Sequence, residues 1–192
     1  PADRVVAILR DAAEGLAALH QAGAVHRDVK PANLLMSADG TVKVSDLGLA
    51  QWAAGDRGDS LGDSTTTRHA GSVDYSSPEH DLLQPLYPTS DVYGLGCVAF
   101  ELLTGRKWKE VRYEVAGVTQ LRPEVPAWLD AVVMRMLAET PGFREEADAA
   151  GGKRYASTGG LLAALKAGAT AKPDDLRRRP KPAPDPALMP PA

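Results

Sequence analysis

The sequence predicts a mainly α-helical domain of the α+β family, with short β-hairpins near its N-terminal end. Apolar residues recur at helical spacing over residues 3–21, over Asp91–Leu103 and over Pro126–Leu137. Between the first two of these segments, a turn containing Asp-Gly separates the short runs Leu34–Met36 and Thr41–Val44. An Asp-Gly pair between two such runs is typical of a β-hairpin.

Residues that favour helix ends mark where the two longest helices begin and stop. Asp3 is the predicted N-cap of the first helix, and Gly23 ends it. Ser90 is the predicted N-cap of the second helix, and Gly105 ends it. The second helix is almost wholly apolar, which indicates burial on most sides, but its apolar run of about twelve residues is too short to span a bilayer.

Composition divides the chain into a domain and a tail. Residues 1–166 carry the predicted elements, the last of them a short helix over Leu161–Lys166. Residues 167–192 are rich in proline and carry the basic run Arg177–Arg179, so we expect a disordered linker or tail that cannot bury a core. Residues 51–72 are rich in Gly, Asp, Ser and Thr and are predicted to form a mobile loop.

Charge and cysteine content narrow the function classes. A net charge of −3 over 192 residues argues against a general electrostatic affinity for nucleic acid or acidic membranes. The single cysteine, Cys97, excludes an internal disulfide framework, and no signal-peptide pattern occurs in the sequence. We therefore expect a cytoplasmic location, no nucleic-acid partner and no membrane contact from this segment, while a membrane anchor elsewhere in the full-length protein stays open.

The segment His26–Asn33 places an acid, a base and an amide close together in a turn. Asp28 is followed by Lys30 two residues later and by Asn33 five residues later. Phosphoryl transfer needs an acceptor hydroxyl aimed at the γ-phosphate and positive charge on the phosphoryl oxygens. A carboxylate, an ammonium group and a metal-binding amide at this spacing can supply these functions together.

This segment resembles the catalytic loop of protein kinases, His-Arg-Asp-x-x-x-x-Asn. The lysine two residues after Asp28, followed by Pro31, resembles the serine/threonine class of kinases rather than the tyrosine class. By this resemblance the chain is identified as a member of the eukaryotic-like (Hanks-type) bacterial serine/threonine protein kinases. The resemblance implies that Asp28 accepts the proton of the substrate hydroxyl, that Lys30 neutralises the γ-phosphate and that Asn33 holds a Mg²⁺ ion. It also implies ATP as co-substrate and a protein with a Ser or Thr acceptor as partner.

The same resemblance assigns two further residues. Asp46-Leu47-Gly48 follows Asn33 by thirteen residues and is similar to the Asp-Phe-Gly metal site of kinases. This similarity implies that Asp46 chelates the Mg²⁺ that bridges the ATP phosphates. Leu35 would form the floor beneath the adenine ring, and an ordinary place in the core is the equally open alternative.

Two motifs later in the chain indicate scaffold residues. Ser77-Pro78-Glu79 resembles the Ala-Pro-Glu that ends the kinase activation segment, and Glu79 is expected to pair with Arg154. Asp91-Val92-Tyr93-Gly94 is similar to the start of the buried central helix of kinases, where the Asp accepts backbone amide hydrogens of the catalytic loop. Helix N-capping is the alternative for Asp91.

The predicted mobile loop contains candidate regulatory residues. Phosphorylation of Thr65, Thr66 or Thr67 could order the loop by pairing with Arg27, since a phosphate adds nearly two charges, and an ordinary solvated loop is the alternative. The resemblance also implies that Ser72 helps to position the catalytic loop.

The sequence lacks the parts with which kinases clamp ATP from the N-terminal side. It contains no Gly-x-Gly-x-x-Gly loop, and no strand lysine with its helix glutamate precedes His26. Because the chain begins with Pro1 rather than Met, we expect a fragment or processed product with the N-terminal lobe absent, a lobe that kinases carry in cis. The isolated chain is therefore expected to be nearly inactive.

Three functions remain open at this point. The leading hypothesis is a partial catalytic domain of a protein serine/threonine kinase. The alternatives are a non-catalytic kinase-like binding or regulatory module and a kinase-like enzyme that phosphorylates a small molecule. Residues 107–120 show no clear amphipathic helix, which leaves the protein-substrate specificity open.

Overall fold

The structure is a computed structural model that describes residues 1–52, 73–141 and 153–170, without the side chains of Gln51 and Trp52. Within these ranges the chain is mainly α-helical, as predicted. Its α-helices are α1 Ala2–Gln21, α2 Pro78–Asp81, α3 Pro88–Thr104, α4 Trp108–Val111, α5 Val118–Leu121, α6 Ala127–Met136 and α7 Thr158–Thr170.

Two antiparallel strand pairs enclose the turn that contains the predicted site. The strands are β1 Ala24–Val25, β2 Leu34–Met36, β3 Val42–Val44 and β4 Gln51–Trp52. β2 and β3 form the predicted hairpin, whose turn holds Gly40 at a φ of +86°, a conformation that glycine adopts without steric cost. β1 pairs with β4. Residues 26–33 therefore connect the β1–β4 pair to the β2–β3 pair.

Helix α3 is the central element of the core. Every residue from Thr89 to Phe100 is buried, as expected for a strongly apolar helix enclosed on most sides. α1 and α6 each pack against both α3 and α7. The ring of Phe100 meets that of Trp108 edge to face, with 5.1 Å between ring centroids. α3 thus gives the surrounding turns a rigid support.

Helices α3 and α6 approach most closely beside Gly96. A Cβ atom at this position would lie 2.8 Å from the Cβ of Met136, well inside van der Waals contact. Only glycine allows this separation without a shift of one helix.

Two helix starts differ from the prediction by two or three residues. α1 begins directly after Pro1, so Asp3 lies in the first turn and is not the N-cap. α3 begins at Pro88, whose fixed φ suits the first helical position, and Ser90 lies two residues inside the helix. The Ser90 hydroxyl still serves the helix end, because it accepts the Tyr87 amide at 3.1 Å.

The C-terminal helix is longer than predicted. α7 extends past both ends of the predicted Leu161–Lys166 and past the predicted domain boundary at residue 166. The predicted tail beyond residue 170, most of the predicted loop over residues 51–72, Thr65–Thr67 and Ser72 lie outside the described residues. Among the described helices, none combines the length and the apolar character needed to cross a bilayer.

Candidate active site

The turn between β1 and β2 brings three of the predicted site residues together. Lys30 Nζ donates to Asp28 Oδ2 at 2.6 Å, and Asn33 Nδ2 donates to the same oxygen at 3.1 Å. Asn33 Nδ2 also donates to the Asp28 carbonyl at 2.8 Å. A 3₁₀ turn that starts at Pro31 produces this return of the chain, because the proline ring presets the backbone for a tight turn.

Asp28 is buried, whereas Lys30 is partly open to solvent. The side chains are 7% and 24% exposed, respectively. A carboxylate with so little contact with water needs charged and hydrogen-bonded partners, and Lys30 and Asn33 supply both. Since Lys30 remains partly exposed, an anionic group can approach its ammonium from solvent.

Asp91 holds the backbone of this turn. Its Oδ2 accepts the His26 amide and its Oδ1 accepts the Arg27 amide, both at 2.8 Å. Arg27 has a φ of +71°, a strained value for a residue with a side chain. Two charge-assisted hydrogen bonds from a buried carboxylate keep it there. The predicted contact between Asp91 and the backbone of the catalytic loop is confirmed.

His20 is a partner of Asp91 that the sequence did not reveal. Its Nε2 lies 2.7 Å from Asp91 Oδ2, and its side chain is 9% exposed. The two residues are 71 positions apart in the chain, and no motif connects them. His20 thus connects the last turn of α1 to Asp91, the residue that holds the turn over residues 26–33, called the catalytic turn below.

Asp46 is positioned through its neighbour Ser45. The Ser45 amide and hydroxyl both donate to the Asn33 carbonyl, at 2.9 and 3.1 Å. The Ser45 carbonyl accepts from His26 Nε2 at 2.9 Å. Asp46 itself is exposed, has a φ of +62° and accepts the Gly48 amide at 3.3 Å. Asp46 therefore directly follows a residue that makes three hydrogen bonds with residues 26–33, a role for Ser45 that sequence reasoning missed.

His26 connects both parts of the site through its ring. Because the Ser45 carbonyl can only accept, Nε2 of His26 carries the hydrogen of that bond. Nδ1 is then the acceptor for the Asp28 amide, which lies 3.3 Å away. One neutral tautomer satisfies both contacts and links Asp28 to the residue before Asp46.

Leu35 lies on the surface beside the site. It is 56% exposed, so its interpretation as a core residue is wrong. Met36 and Leu47 are exposed to the same extent. Three large apolar side chains thus face solvent on β2 and directly after Asp46.

The oxygen donors near the turn suit a hard cation. Asn33 uses its amide nitrogen for both bonds to Asp28, which directs its amide oxygen away from that carboxylate. Asp46 contributes a carboxylate on the exposed side. Over the described ranges, no three or more His, Cys, Asp and Glu side chains form a ready metal site. Asn33 and Asp46 therefore fit Mg²⁺, which proteins hold with one or two side chains together with phosphate oxygens and water.

The predicted pair of Glu79 and Arg154 is confirmed as a bidentate, buried ion pair. Arg154 Nη1 and Nη2 donate to the two carboxylate oxygens at 2.6 and 3.1 Å, and the side chains are 0% and 5% exposed for Arg154 and Glu79. Burial by itself raises the pKa of Glu79, but the hydrogen bond and charge of Arg154, with a further bond from Ser90, hold this pKa below its usual range. Arg154 also donates to the carbonyls of Thr89 and Ala138, at 3.0 and 2.9 Å. The pair joins α2, α3 and the segment before α7.

Comparison with known proteins identifies the family of this chain. Residues 1–127 match the family model of the protein kinase domain, which includes all of the predicted site residues. The chain belongs to the protein kinase family. The resemblance to bacterial serine/threonine protein kinases that the sequence implied is therefore confirmed.

Kinases from several bacteria are similar to this chain. The serine/threonine-protein kinase PknB of Mycolicibacterium smegmatis is 38% identical over 152 residues, which are 73% of this chain and 24% of that protein. PknB of Mycobacterium leprae is 37% identical over 155 residues, with 75% and 24% covered. The probable serine/threonine-protein kinase SCO3848 of Streptomyces coelicolor is 36% identical over 136 residues, with 65% and 20% covered. This kinase chain thus spans about a quarter of the length of the first relatives that it matches.

Proposed function

We propose that this chain is the C-terminal lobe of a protein serine/threonine kinase that transfers the γ-phosphate of ATP to Ser and Thr hydroxyls of proteins. The observation that carries the proposal is the bonding of Lys30 and Asn33 to one carboxylate oxygen of Asp28. This arrangement places a proton acceptor, a cation and a metal-binding amide within one turn.

Each residue of the turn has one role in the proposed reaction. The substrate hydroxyl oxygen forms a bond to the γ-phosphorus, the bond from that phosphorus to the ADP oxygen breaks, and the hydroxyl proton passes to the Asp28 carboxylate. Lys30 lies beside Asp28 and offsets the negative charge of the phosphoryl oxygens. Asp91 and His26 keep the carboxylate aimed by fixing the backbone amides of residues 26–28.

Asn33 and Asp46 are proposed to hold Mg²⁺ through their side-chain oxygens. Bound MgATP supplies the phosphoryl group and neutralises charge on its phosphates. Leu35 is proposed to support the adenine ring, since its exposed side chain offers an apolar surface on β2.

The surface near the site supports the proposal that a second lobe covers it. Leu35, Met36 and Leu47 are each 56% exposed, and a surface of this kind in a kinase is suited to contact with nucleotide and with an N-terminal lobe. We therefore propose that the lobe is supplied in cis, upstream of Pro1. We place the protein in the cytoplasm, because its single cysteine is buried in α3 and cannot form an internal disulfide.

The test uses the extended protein, meaning the chain together with the residues encoded upstream of Pro1. It is expected to transfer phosphate from MgATP to a basic protein substrate and to label Ser and Thr, not Tyr. Asp28→Asn should lower the rate by about 10²–10⁴, the usual contribution of general-base catalysis. Equal transfer by the wild-type protein and the Asp28→Asn variant would reject the proposed mechanism, and a wild-type protein that transfers nothing would favour a non-catalytic module.

A further inference from the structure

A cluster outside the candidate active site joins α4 to the segment Val73–Asp81. Lys109 Nζ donates to Ser76 Oγ at 2.7 Å and to Asp81 Oδ2 at 2.6 Å. Ser76 Oγ donates to the other carboxylate oxygen of Asp81 at 2.5 Å. Lys109, Ser76 and Asp81 thus bond to one another in a closed set, which is named the lysine clamp below.

The ammonium group of the lysine clamp is largely buried, whereas its carboxylate is partly exposed. The Lys109 side chain is 14% exposed and that of Asp81 is 42% exposed. An ammonium group with so little contact with water needs partners within the protein. Both of the partners named here belong to the segment Val73–Asp81, so the positions of α4 and of this segment depend on each other.

Two neighbouring contacts connect the same parts of the chain as the lysine clamp. Lys107 pairs with Asp74, and the Tyr75 hydroxyl donates to Glu101 Oε2 at 2.6 Å. These contacts and the lysine clamp connect residues 74–81 to the stretch from the end of α3 to α4. Lys107 is 38% exposed and Lys109 only 14%, so Lys109 depends more on its partners in the protein.

The held segment lies beside the catalytic turn. A Cβ atom on Gly94 of α3 would lie 3.1 Å from the carbonyl oxygen of Val29 and 3.4 Å from that of Tyr75. Val29 and Tyr75 therefore both pack against Gly94 of α3. Val73, at the start of the segment, is 74% exposed and available to a partner.

We propose that Lys109 is a positioning residue for the protein substrate, which rests on the proposed kinase function. The segment Val73–Asp81 and the catalytic turn both pack against Gly94. A polypeptide whose hydroxyl reaches Asp28 must therefore pass close to this segment. By fixing this segment, Lys109 sets the surface against which the substrate backbone lies. Its removal weakens substrate binding more than the chemical step, because the bonds among Asp28, Lys30 and Asn33 do not involve it.

The kinetic test compares variants of the extended protein. Lys109→Met keeps the aliphatic stem and removes the charge, and it should raise KM for a Ser/Thr peptide about fivefold to thirtyfold with little change in kcat. Lys109→Arg restores the charge and should return KM most of the way to the wild-type value. Lys166→Met is the matched control, since this exposed lysine lies on α7. An active Lys109→Met variant with wild-type KM would overturn the proposal.

Amide hydrogen exchange tests the clamp without any activity. In the chain itself, the amides of Asp81 and Gln84 donate to the carbonyls of Ser77 and Glu79, at 3.0 and 2.9 Å. Lys109→Met should accelerate exchange at both amides and leave that of α6 unchanged. If the wild-type extended protein transfers no phosphate, the proposed kinase function fails. The exchange rates of the Asp81 and Gln84 amides then test whether Lys109 holds the segment Val73–Asp81. Unchanged exchange at both would then overturn it.

Discussion

At the residue scale, the candidate site depends on two residues held in left-handed backbone conformations. Arg27 has a φ of +71° and Asp46 a φ of +62°. Such conformations cost on the order of 1–3 kcal/mol each and persist only where surrounding contacts impose them. Asp91 imposes the conformation of Arg27 by accepting hydrogen bonds from the backbone amides of His26 and Arg27. The bonds of Ser45 to the catalytic turn anchor the chain directly before the second.

The buried pair of Glu79 and Arg154 gives a residue-scale prediction on stability. Glu79→Gln leaves the buried guanidinium without its counter-charge and should lower the free energy of unfolding by about 3–5 kcal/mol at pH 7. Urea unfolding measures this loss. Glu124→Gln is the matched control, because Glu124 pairs with Arg122 at the surface and should have no measurable effect. A loss of similar size in both variants would contradict the account.

The same pair gives a pH dependence with a definite sign. Contacts with Arg154 make the pKa of Glu79 lower in the folded protein than its usual value of 4.5. The stabilisation is therefore complete above about pH 4.5 and is lost as the pH falls through the lower, folded-state pKa. The difference in unfolding free energy between the wild-type protein and Glu79→Gln should shrink over that acidic range. A difference that stays constant down to pH 2 would contradict this assignment.

At the element scale, local signals predicted the main helices and the hairpin, but not how they meet. Periodicity and turn residues are properties of neighbours in the chain, so α3, α6 and the β2–β3 pair could be predicted. Ser90 was misplaced as an N-cap because Pro88 starts the helix earlier.

Contacts between distant segments leave no such local pattern. Family resemblance supplied the pairing of Asp91 with the catalytic turn and of Glu79 with Arg154, since each residue belongs to a motif. His20 lies 71 positions from Asp91, and Lys109 lies 33 positions from Ser76. Neither belongs to a motif, so only the folded structure shows their roles.

The close approach of α3 and α6 gives a prediction at the element scale. Gly96→Ala places a methyl group 2.8 Å from the Cβ of Met136 and should destabilise the fold by about 1–3 kcal/mol through overpacking. Gly159→Ala is the matched control in the first turn of α7, where the nearest atom would be Ser157 Oγ at 3.4 Å. This control should be neutral or slightly stabilising, since alanine favours helix. Thermal unfolding distinguishes them, and equal stability of both variants would argue against tight packing at Gly96.

At the scale of the whole molecule, we propose that the described residues form one half of a kinase site. α3 carries Asp91 and supports the catalytic turn, and Glu79 with Arg154 fixes the segment that leads into α3. The apolar residues Leu35, Met36 and Leu47, on β2 and directly after Asp46, are exposed. Orientation of reactants contributes about 7–11 kcal/mol to catalysis, so we expect the chain without the proposed second lobe to transfer phosphate far more slowly.

The most direct test compares phosphate transfer by the isolated chain and by the extended protein under the same conditions. Both receive MgATP and one basic protein substrate, and each is paired with its Asp28→Asn variant. The account predicts Asp28-dependent transfer by the extended protein and none by the isolated chain above its own Asp28→Asn variant. Asp28-dependent transfer by the isolated chain at the rate of the extended protein would contradict the central claim that a second lobe completes this site.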